Sequence, residues 1–339
     1  MDLDKDRIGR YLVAHLDNFI FDELSDAYLE KAKIADIMTG VPVPLKKTEL
    51  GSMSTLGVAR NMAFVIGCDP EFKYRDNYIN YILRTFDKKF AEGLIGDGVE
   101  GASKRDYDYA CIQFRAAMQI DPDNADAYYC YGRACKDAYE LGEEEEYVGR
   151  FKAESLEAFE TATIKNPKHA EALYFLGYGY VNMGLYVKAK LTWQSFLECT
   201  DNDELRQEIS QRLETLEEPV NIEKGYNLIL SEKYQEGIEA LLPYKEGTFS
   251  TWWPLWYYLG IAYKGIGDEE MAIHHFKEVL KYSPSNMETM KELISLYQSA
   301  GNQEMVDKYT KKIEIVKENE AKDRKLAADA DGSGNGKVN

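Results

Sequence analysis

The chain has 339 residues, of which 45% are hydrophobic and 29% are charged, which is the composition of an ordinary folded protein. Its formal net charge of −18 argues against nucleic acid and anionic membranes as partners, because a protein needs basic surface patches to bind their phosphates. No run of about 18 apolar residues occurs, so no membrane-spanning helix is predicted.

Residues 1–88 are predicted to form a helical region. Apolar residues spaced by three and four positions predict an amphipathic helix from about residue 6 to residue 29. The segment 38–51, which contains two prolines and two glycines, ends this pattern. Two further helices are predicted over about 55–66 and 71–90. The pattern leaves open whether the region consists of diverged repeats, a small bundle or a cap on the next segment.

Glycines then recur along the chain at a spacing that indicates a repeat. The positions are Gly98, Gly132, Gly177, Gly225 and Gly260. Two of the four gaps are 34 and 35 residues, and the other two fit the same period with inserts of 11 and 14 residues. A period of this size is typical of helix–turn–helix repeats that stack into a solenoid.

The clearest copy of this repeat covers residues 253–286. Trp256 and Gly260 share one face of a predicted first helix, while Ala272 and Phe276 share one face of a second. The small residues allow two antiparallel helices to pack closely, and Phe276 fills the space beside them. One such hairpin does not cover its own apolar face, so it must stack on a neighbour.

The pattern resembles that of the tetratricopeptide repeat family, W-x2-L-G-x2-Y…A-x3-F…P. The resemblance implies an all-α fold, an α-solenoid of stacked helix–turn–helix repeats preceded by the helical region. A repeat domain is predicted over residues 89–319. Its six copies cover about 91–124, 125–169, 170–203, 218–251, 253–286 and 287–320.

Three segments depart from the repeat. The acidic insert of the second copy, ELGEEEEYVGR at 140–150, is predicted to be an exposed loop or helix end. The alternative is a docking point for a basic partner. Residues 203–218 are predicted to form an extra amphipathic helix before the fourth copy. Residues 320–339 are polar and are predicted to be a disordered tail.

The sequence contains no motif of a catalytic, cofactor-binding or metal-binding site. His274 and His275 are adjacent, and neighbours on a helix point about 100° apart, so they do not converge on one metal ion. The five cysteines are odd in number and lack a C-x-x-C pair, which favours free thiols in a reduced cytoplasm. We therefore expect no enzyme, no cofactor and no metal.

The resemblance also implies a groove lined by the first helix of each repeat. Its exposed positions are predicted to bind a partner through Tyr129, Arg133, Lys136, Tyr174, Tyr178, Asn182 and Tyr257. Tyrosine and arginine dominate binding hot spots, because they bury area and keep a polar end. The offsets at which one subtype grips chaperone tails carry Tyr129, Arg133, Glu171 and Phe175, a departure that argues against chaperone-tail binding.

These observations predict a cytoplasmic interaction scaffold that binds a protein or a peptide in a tyrosine-lined groove. The negative charge leaves a cationic partner open. Nucleic acid and membrane insertion are not expected. The alternative is a peptide-sensing regulatory protein in which residues 1–88 are the output module.

Overall fold

The computed structural model describes residues 6–48 and 54–333, and this part of the chain is mainly helical. The chain divides into two units. The first comprises 1–184 with 188–210, and the second comprises 185–187 with 211–339.

The first unit begins with short elements rather than one long helix. They are α1 (Gly9–Leu12), a 3-10 segment (Val13–Asn18), β1 (Phe19–Glu23), α2 (Asp26–Ala32), α3 (Ala35–Met38) and β2 (Pro42–Lys46). The predicted helix over 6–29 is therefore wrong. The run Phe19–Phe21 combines aromatic and β-branched side chains that favour a strand, and it finds an antiparallel partner in β2.

Two longer helices follow, as predicted, at α4 (Thr55–Cys68) and α5 (Arg75–Phe86). Helix α4 packs closely on a later helix of the same unit. A Cβ atom at Gly67 would lie 2.1 Å from the carbonyl oxygen of Ile112, so only glycine permits this approach.

The remaining helices form consecutive hairpins, which confirms the predicted fold class. They are α6 (Phe90–Ser103) with α7 (Tyr107–Ile120), α8 (Ala125–Leu141) with α9 (Glu145–Lys165), α10 (Ala170–Asn182) with α11 (Tyr186–Cys199), α13 (Glu217–Leu230) with α14 (Tyr234–Leu241), α15 (Trp253–Gly265) with α16 (Glu269–Tyr282), and α17 (Met287–Ser299) with α18 (Gln303–Ser333). Helix α12 (Asp203–Thr215) is the predicted extra helix.

In five hairpins, the repeat glycine of the first helix faces a large side chain of the second. The pairs are Gly98 with Phe114, Gly132 with Phe159, Gly177 with Trp193, Gly225 with Leu241 and Gly260 with Phe276. A Cβ atom at any of these glycines would lie between 2.0 and 2.8 Å from the facing side chain. Each glycine therefore sets how closely its two helices approach.

The acidic insert lies where one helix ends and the next begins, and its four consecutive glutamates, Glu143 to Glu146, are exposed, in agreement with the predicted exposed loop or helix end. Helix α8 runs to Leu141 and α9 begins at Glu145, so only three residues separate them. Glu145 and Glu146 occupy the first turn of α9, where the helix dipole favours negative charge. Glu146 accepts a hydrogen bond from Arg10 at 2.8 Å, so part of the insert binds the chain's own N-terminal segment.

Helix α18 continues to Ser333, into the segment 320–339 for which the sequence predicts disorder. Residues 334–339 lie outside the described residues.

The second unit buries a histidine without hydrogen-bond partners. His275 of α16 is completely buried against the rings of Trp256 and Tyr263, at centroid distances of 5.7 and 5.0 Å. Neither ring nitrogen has a hydrogen-bond partner among the described residues. Burial, together with Lys245 and His274, lowers the pKa of His275 from 6.5 to about 3. The imidazole is therefore neutral in the folded protein.

We predict that Gly98→Ala lowers the free energy of unfolding by about 2 kcal/mol, because the buried Phe114 ring has no space to move away. Gly96 lies two positions earlier on α6, where an added Cβ would meet no atom within 4 Å, and it is the matched control. Gly96→Ala should raise stability by about 0.5 to 1 kcal/mol through helix propensity. Urea unfolding of both variants measures the difference, and equal effects would contradict the packing argument.

We predict that His275 makes the second unit sensitive to acid. The folded pKa lies below the unfolded value of 6.5, so its contribution is intact above pH 6.5 and is lost as the pH falls towards 3. By pH 5, the unfolding free energy should drop by about 2 kcal/mol relative to His275→Leu. Denaturation at pH 7.5 and pH 5 measures this. The exposed neighbour provides the control, since His274→Leu should keep most of this pH dependence, because burial is the largest cause of the lowered pKa of His275.

Candidate partner-binding face

The predicted groove residues of the second and third copies lie on α8 and α10, within the first unit. Tyr129, Arg133, Tyr174 and Tyr178 are half-buried, and Asn182 is exposed at the end of α10. The half-buried side chains therefore pack partly against other residues of the unit and keep part of their surface exposed to solvent.

Tyr129 and Arg133 of α8 form one cluster with Phe175 of α10. The Tyr129 ring lies 6.4 Å from that of Phe175, and burial raises the pKa of Tyr129. The Arg133 guanidinium stacks over the Phe175 ring at 4.2 Å, and its Nη1 donates to the Tyr129 hydroxyl at 3.5 Å. Arg133 Nε is buried and has no hydrogen-bond partner within the described part of the chain. The contact with the Phe175 ring thus holds the Arg133 guanidinium in place, while its Nε–H group has no acceptor among the residues that the structure describes.

His169 links α8 to the start of α10. Its Nδ1 accepts the backbone N–H of Ala172 at 3.3 Å, which caps the helix. Its Nε2 lies 3.1 Å from Asp126 Oδ1, so the tautomer protonated on Nε2 satisfies both contacts. The Tyr129 ring lies 4.8 Å from the imidazole. His169 has no partners at the spacing of a metal site, and the sequence alone does not mark it as a helix cap.

Tyr174 and Tyr178 converge on one carboxylate of α12. The Tyr174 hydroxyl donates to Glu208 Oε2 at 3.1 Å, and the Tyr178 hydroxyl donates to Oε1 of the same residue. The two tyrosine rings lie 5.1 Å apart, and the Tyr178 ring lies 4.9 Å from that of Trp193. The carboxylate thus fixes both phenols in one arrangement.

Sequence reasoning missed Glu208, although its position holds a signal. Glu208 follows Tyr174 by 34 residues, which is one repeat period. Helix α12 therefore supplies the side chain expected from the first helix of a following repeat, rather than being only an insert.

Two of the predicted groove residues, Lys136 and Tyr257, make different contacts from the tyrosines and arginine of α8 and α10. Lys136 is paired with Glu140 on its own helix, so its charge is already balanced. Tyr257 lies on α15 in the other unit, where its ring packs 5.8 Å from Phe276. The structure therefore brings the α8 and α10 residues together within the first unit, and Tyr257 belongs to the second unit.

The described residues contain no group of three or more histidines, cysteines or carboxylates that would hold a metal ion. All five cysteines are free thiols, and Cys111 and Cys135 lie buried with their sulfur atoms 3.8 Å apart. Within the described ranges, no helix has the length and apolar character needed to cross a membrane.

Comparison with known families agrees with this geometry. A family model for the tetratricopeptide repeat matches residues 253–286, which form the hairpin α15–α16. This part of the chain therefore contains a tetratricopeptide repeat. The fold is in general that of a protein–protein interaction scaffold.

Several solved structures are similar to this chain. The tetratricopeptide repeat domain of P58(IPK) matches 90% of this chain and 86% of its own, with 11% identity and a TM-score of 0.43. YrrB, described as having an unusual peptide-binding site, matches 63% of this chain and 96% of its own, with 17% identity and a TM-score of 0.33. A repeat protein of Thermus thermophilus matches 71% and 99%, with 14% identity and a TM-score of 0.31. No curated protein matches the chain.

We predict that Glu208→Ala lowers the unfolding free energy by about 1 to 2 kcal/mol, because two phenol hydroxyls lose a charged acceptor. Glu204 is exposed on the same helix, and Glu204→Ala should change stability by less than about 0.5 kcal/mol. Urea unfolding measures both variants. If they are equally stable, Glu208 does not fix the tyrosines.

Proposed function

We propose that this protein is an interaction scaffold that binds a peptide or protein segment on one face of its first unit. We call this the tyrosine face, and its residues are Tyr129, Arg133, Lys136, Tyr174, Tyr178 and Asn182. The observation that carries the proposal is the ordered, half-exposed array of tyrosines and arginine on α8 and α10, which Glu208 of α12 helps to hold in place.

The chemistry of the tyrosine face supports binding over packing alone. Glu208 holds two phenols in place before any partner arrives, so little side-chain entropy is lost on association. Stacking on Phe175 keeps the guanidinium of Arg133 in position. An exposed amide at Asn182 adds a donor and an acceptor suited to a peptide backbone.

We propose that the partner is cationic where it passes the carboxylates around the tyrosine face. Exposed side chains of Asp126 and Glu171 flank the cluster, with 76% and 63% of their side-chain surface accessible. The net charge of −18 adds a general attraction for positive segments and repels nucleic acid. We place the protein in the cytoplasm, because its five free thiols suit a reducing compartment. We assign it no enzymatic activity.

A peptide-sensing regulator remains the second candidate, and the contacts of the N-terminal segment favour it. The N-terminal segment packs on the repeats through an ion pair from Asp6 to buried Arg115 and through fully buried Ile8 and Leu12. Arg7 also pairs with Glu154 of α9 at 3.2 Å. A partner that shifted α9 would therefore change the contacts of this segment, which is what an output module requires.

We predict that the double change Tyr174→Ala, Tyr178→Ala weakens the binding free energy for a co-purified partner by about 2 kcal/mol or more, because it removes two central anchor side chains. Calorimetry with the purified partner measures the affinity, and circular dichroism checks that helicity is intact. Tyr282→Ala is the control, since Tyr282 is exposed on α16 and belongs to the second unit. Unchanged affinity in the double variant would refute the assignment of the tyrosine face.

A further inference from the structure

The two-stranded sheet of the first unit leaves one backbone edge unpaired. In the described part of the chain, β1 pairs with β2 only, and the register places Ile20 opposite Leu45 and Phe21 opposite Pro44. Each strand therefore has one inner edge and one outer edge.

The hydrogen bonds between the strands show which residues of β1 direct their backbone N–H and C=O groups away from β2. Lys47 donates its backbone N–H to the Asn18 carbonyl at 3.1 Å. The even-numbered residues of β1 therefore direct their backbone N–H and C=O groups towards β2. The N–H and C=O of one residue in a strand point to the same side, and neighbouring residues alternate. Phe19, Phe21 and Glu23 therefore direct their backbone groups away from β2.

The outer edge of β2 is closed. Pro42 and Pro44 have no N–H to offer on that side. Their carbonyls already accept hydrogen bonds, from the Tyr78 hydroxyl at 2.6 Å and from Asn61 Nδ2 at 3.1 Å.

The outer edge of β1 is only partly occupied. The N–H of Phe19 bonds the Leu16 carbonyl, and the N–H of Glu23 bonds the Asp22 carboxylate at 2.9 Å. The N–H and C=O of Phe21 and the carbonyls of Phe19 and Glu23 have no partner among the described residues. The edge thus presents one donor and three acceptors.

The side chains of β1 leave this edge accessible. Ile20 is 39% exposed and Phe21 is 41% exposed, and both are apolar. The Phe21 ring is held by stacking on Phe72 at 5.9 Å. Asp22 and Glu23 are exposed at the end of the strand, so carboxylates add to the negative character of the carbonyls.

We propose that the outer edge of β1 docks an extended, positively charged segment of a partner protein, which adds to the sheet as a third strand. Backbone pairing supplies the affinity, and lysine or arginine opposite Asp22 and Glu23 supplies the charge match. Three acceptors require three N–H donors, so the bound segment has no proline at those positions. This edge is separate from the tyrosine face.

A second copy of the chain is a poor occupant of the same edge. Two antiparallel β1 strands centred on Phe21 would form only the two bonds between the Phe21 residues. The remaining carbonyls would face N–H groups of Phe19 and Glu23 that are already bonded within the chain. The acceptor excess therefore selects a different strand, one with free donors.

The test uses the full chain and a fluorescein-labelled peptide of alternating lysine and valine, acetyl-Lys-Val-Lys-Val-Lys-Val-Lys-amide. We expect saturable binding by anisotropy and slower hydrogen exchange at the Phe21 amide. A peptide N-methylated at alternate residues keeps the charge and loses the donors, so it should bind at least about tenfold more weakly. If the methylated peptide binds equally well, the attraction is only electrostatic and the proposal is overturned.

Variants of the protein test the same edge. Phe21→Pro removes the outward N–H, as Pro42 and Pro44 do on β2, whereas Phe21→Thr removes the ring and keeps the N–H. We expect the proline variant to bind at least about tenfold more weakly than the threonine variant. Equal binding by the two would overturn the proposal, and the peptide comparison on the unaltered protein decides the matter if Phe21→Pro misfolds.

Two further measurements separate the alternatives. The Tyr174→Ala, Tyr178→Ala variant should bind the lysine–valine peptide as the unaltered protein does, so failure at one surface is distinguishable from failure at the other. Sedimentation at increasing concentration should show no self-association through β1. A dimer that Phe21→Pro abolishes would make a second copy the occupant and overturn the assignment to a partner.

Discussion

The contact on which the repeats depend is a helix crossing in which a glycine faces a large side chain of the returning helix. In four hairpins the two residues are separated by 16 positions, as in Gly177 with Trp193 and Gly260 with Phe276. Because a Cβ atom would occupy the space of the facing side chain, the glycine fixes both the distance and the rotation of the two helices. The rotation in turn decides which side chains of the first helix remain exposed, so the tyrosine face follows from the same contact.

The second repeat shows how an insert is accommodated without disturbing that crossing. Helix α8 has 17 residues against 13 in α10, and α9 has 21 against 14 in α11. The four and seven additional residues account for the whole 11-residue insert. They lengthen the hairpin at its tip, beyond the contact of Gly132 with Phe159, so the helix faces keep their positions.

The sequence predicted the repeats well because their signal recurs at a fixed period, and it predicted local exceptions poorly. The strand β1 has only five residues, so its alternation of apolar and polar side chains is too short to be distinguished from a helical spacing. Its pairing partner β2 follows only after two short helices, α2 and α3. Glu208 was overlooked because α12 interrupts the glycine spacing, although it stands one period after Tyr174. The positions of Tyr129 and Arg133 on α8 were predictable, but their contacts with Phe175 required the neighbouring helix to be placed.

The tyrosine face and the outer edge of β1 belong to the same unit, and they use different chemistry. The tyrosine face offers side chains, with ring surfaces and a guanidinium, whereas the β1 edge offers backbone carbonyls and carboxylates. A partner with two suitable segments would bind the second in an intramolecular step once the first is held, so modest affinities would multiply without any new contact. A scaffold gains selectivity in this way, because a protein with only one of the two segments binds more weakly than a protein with both.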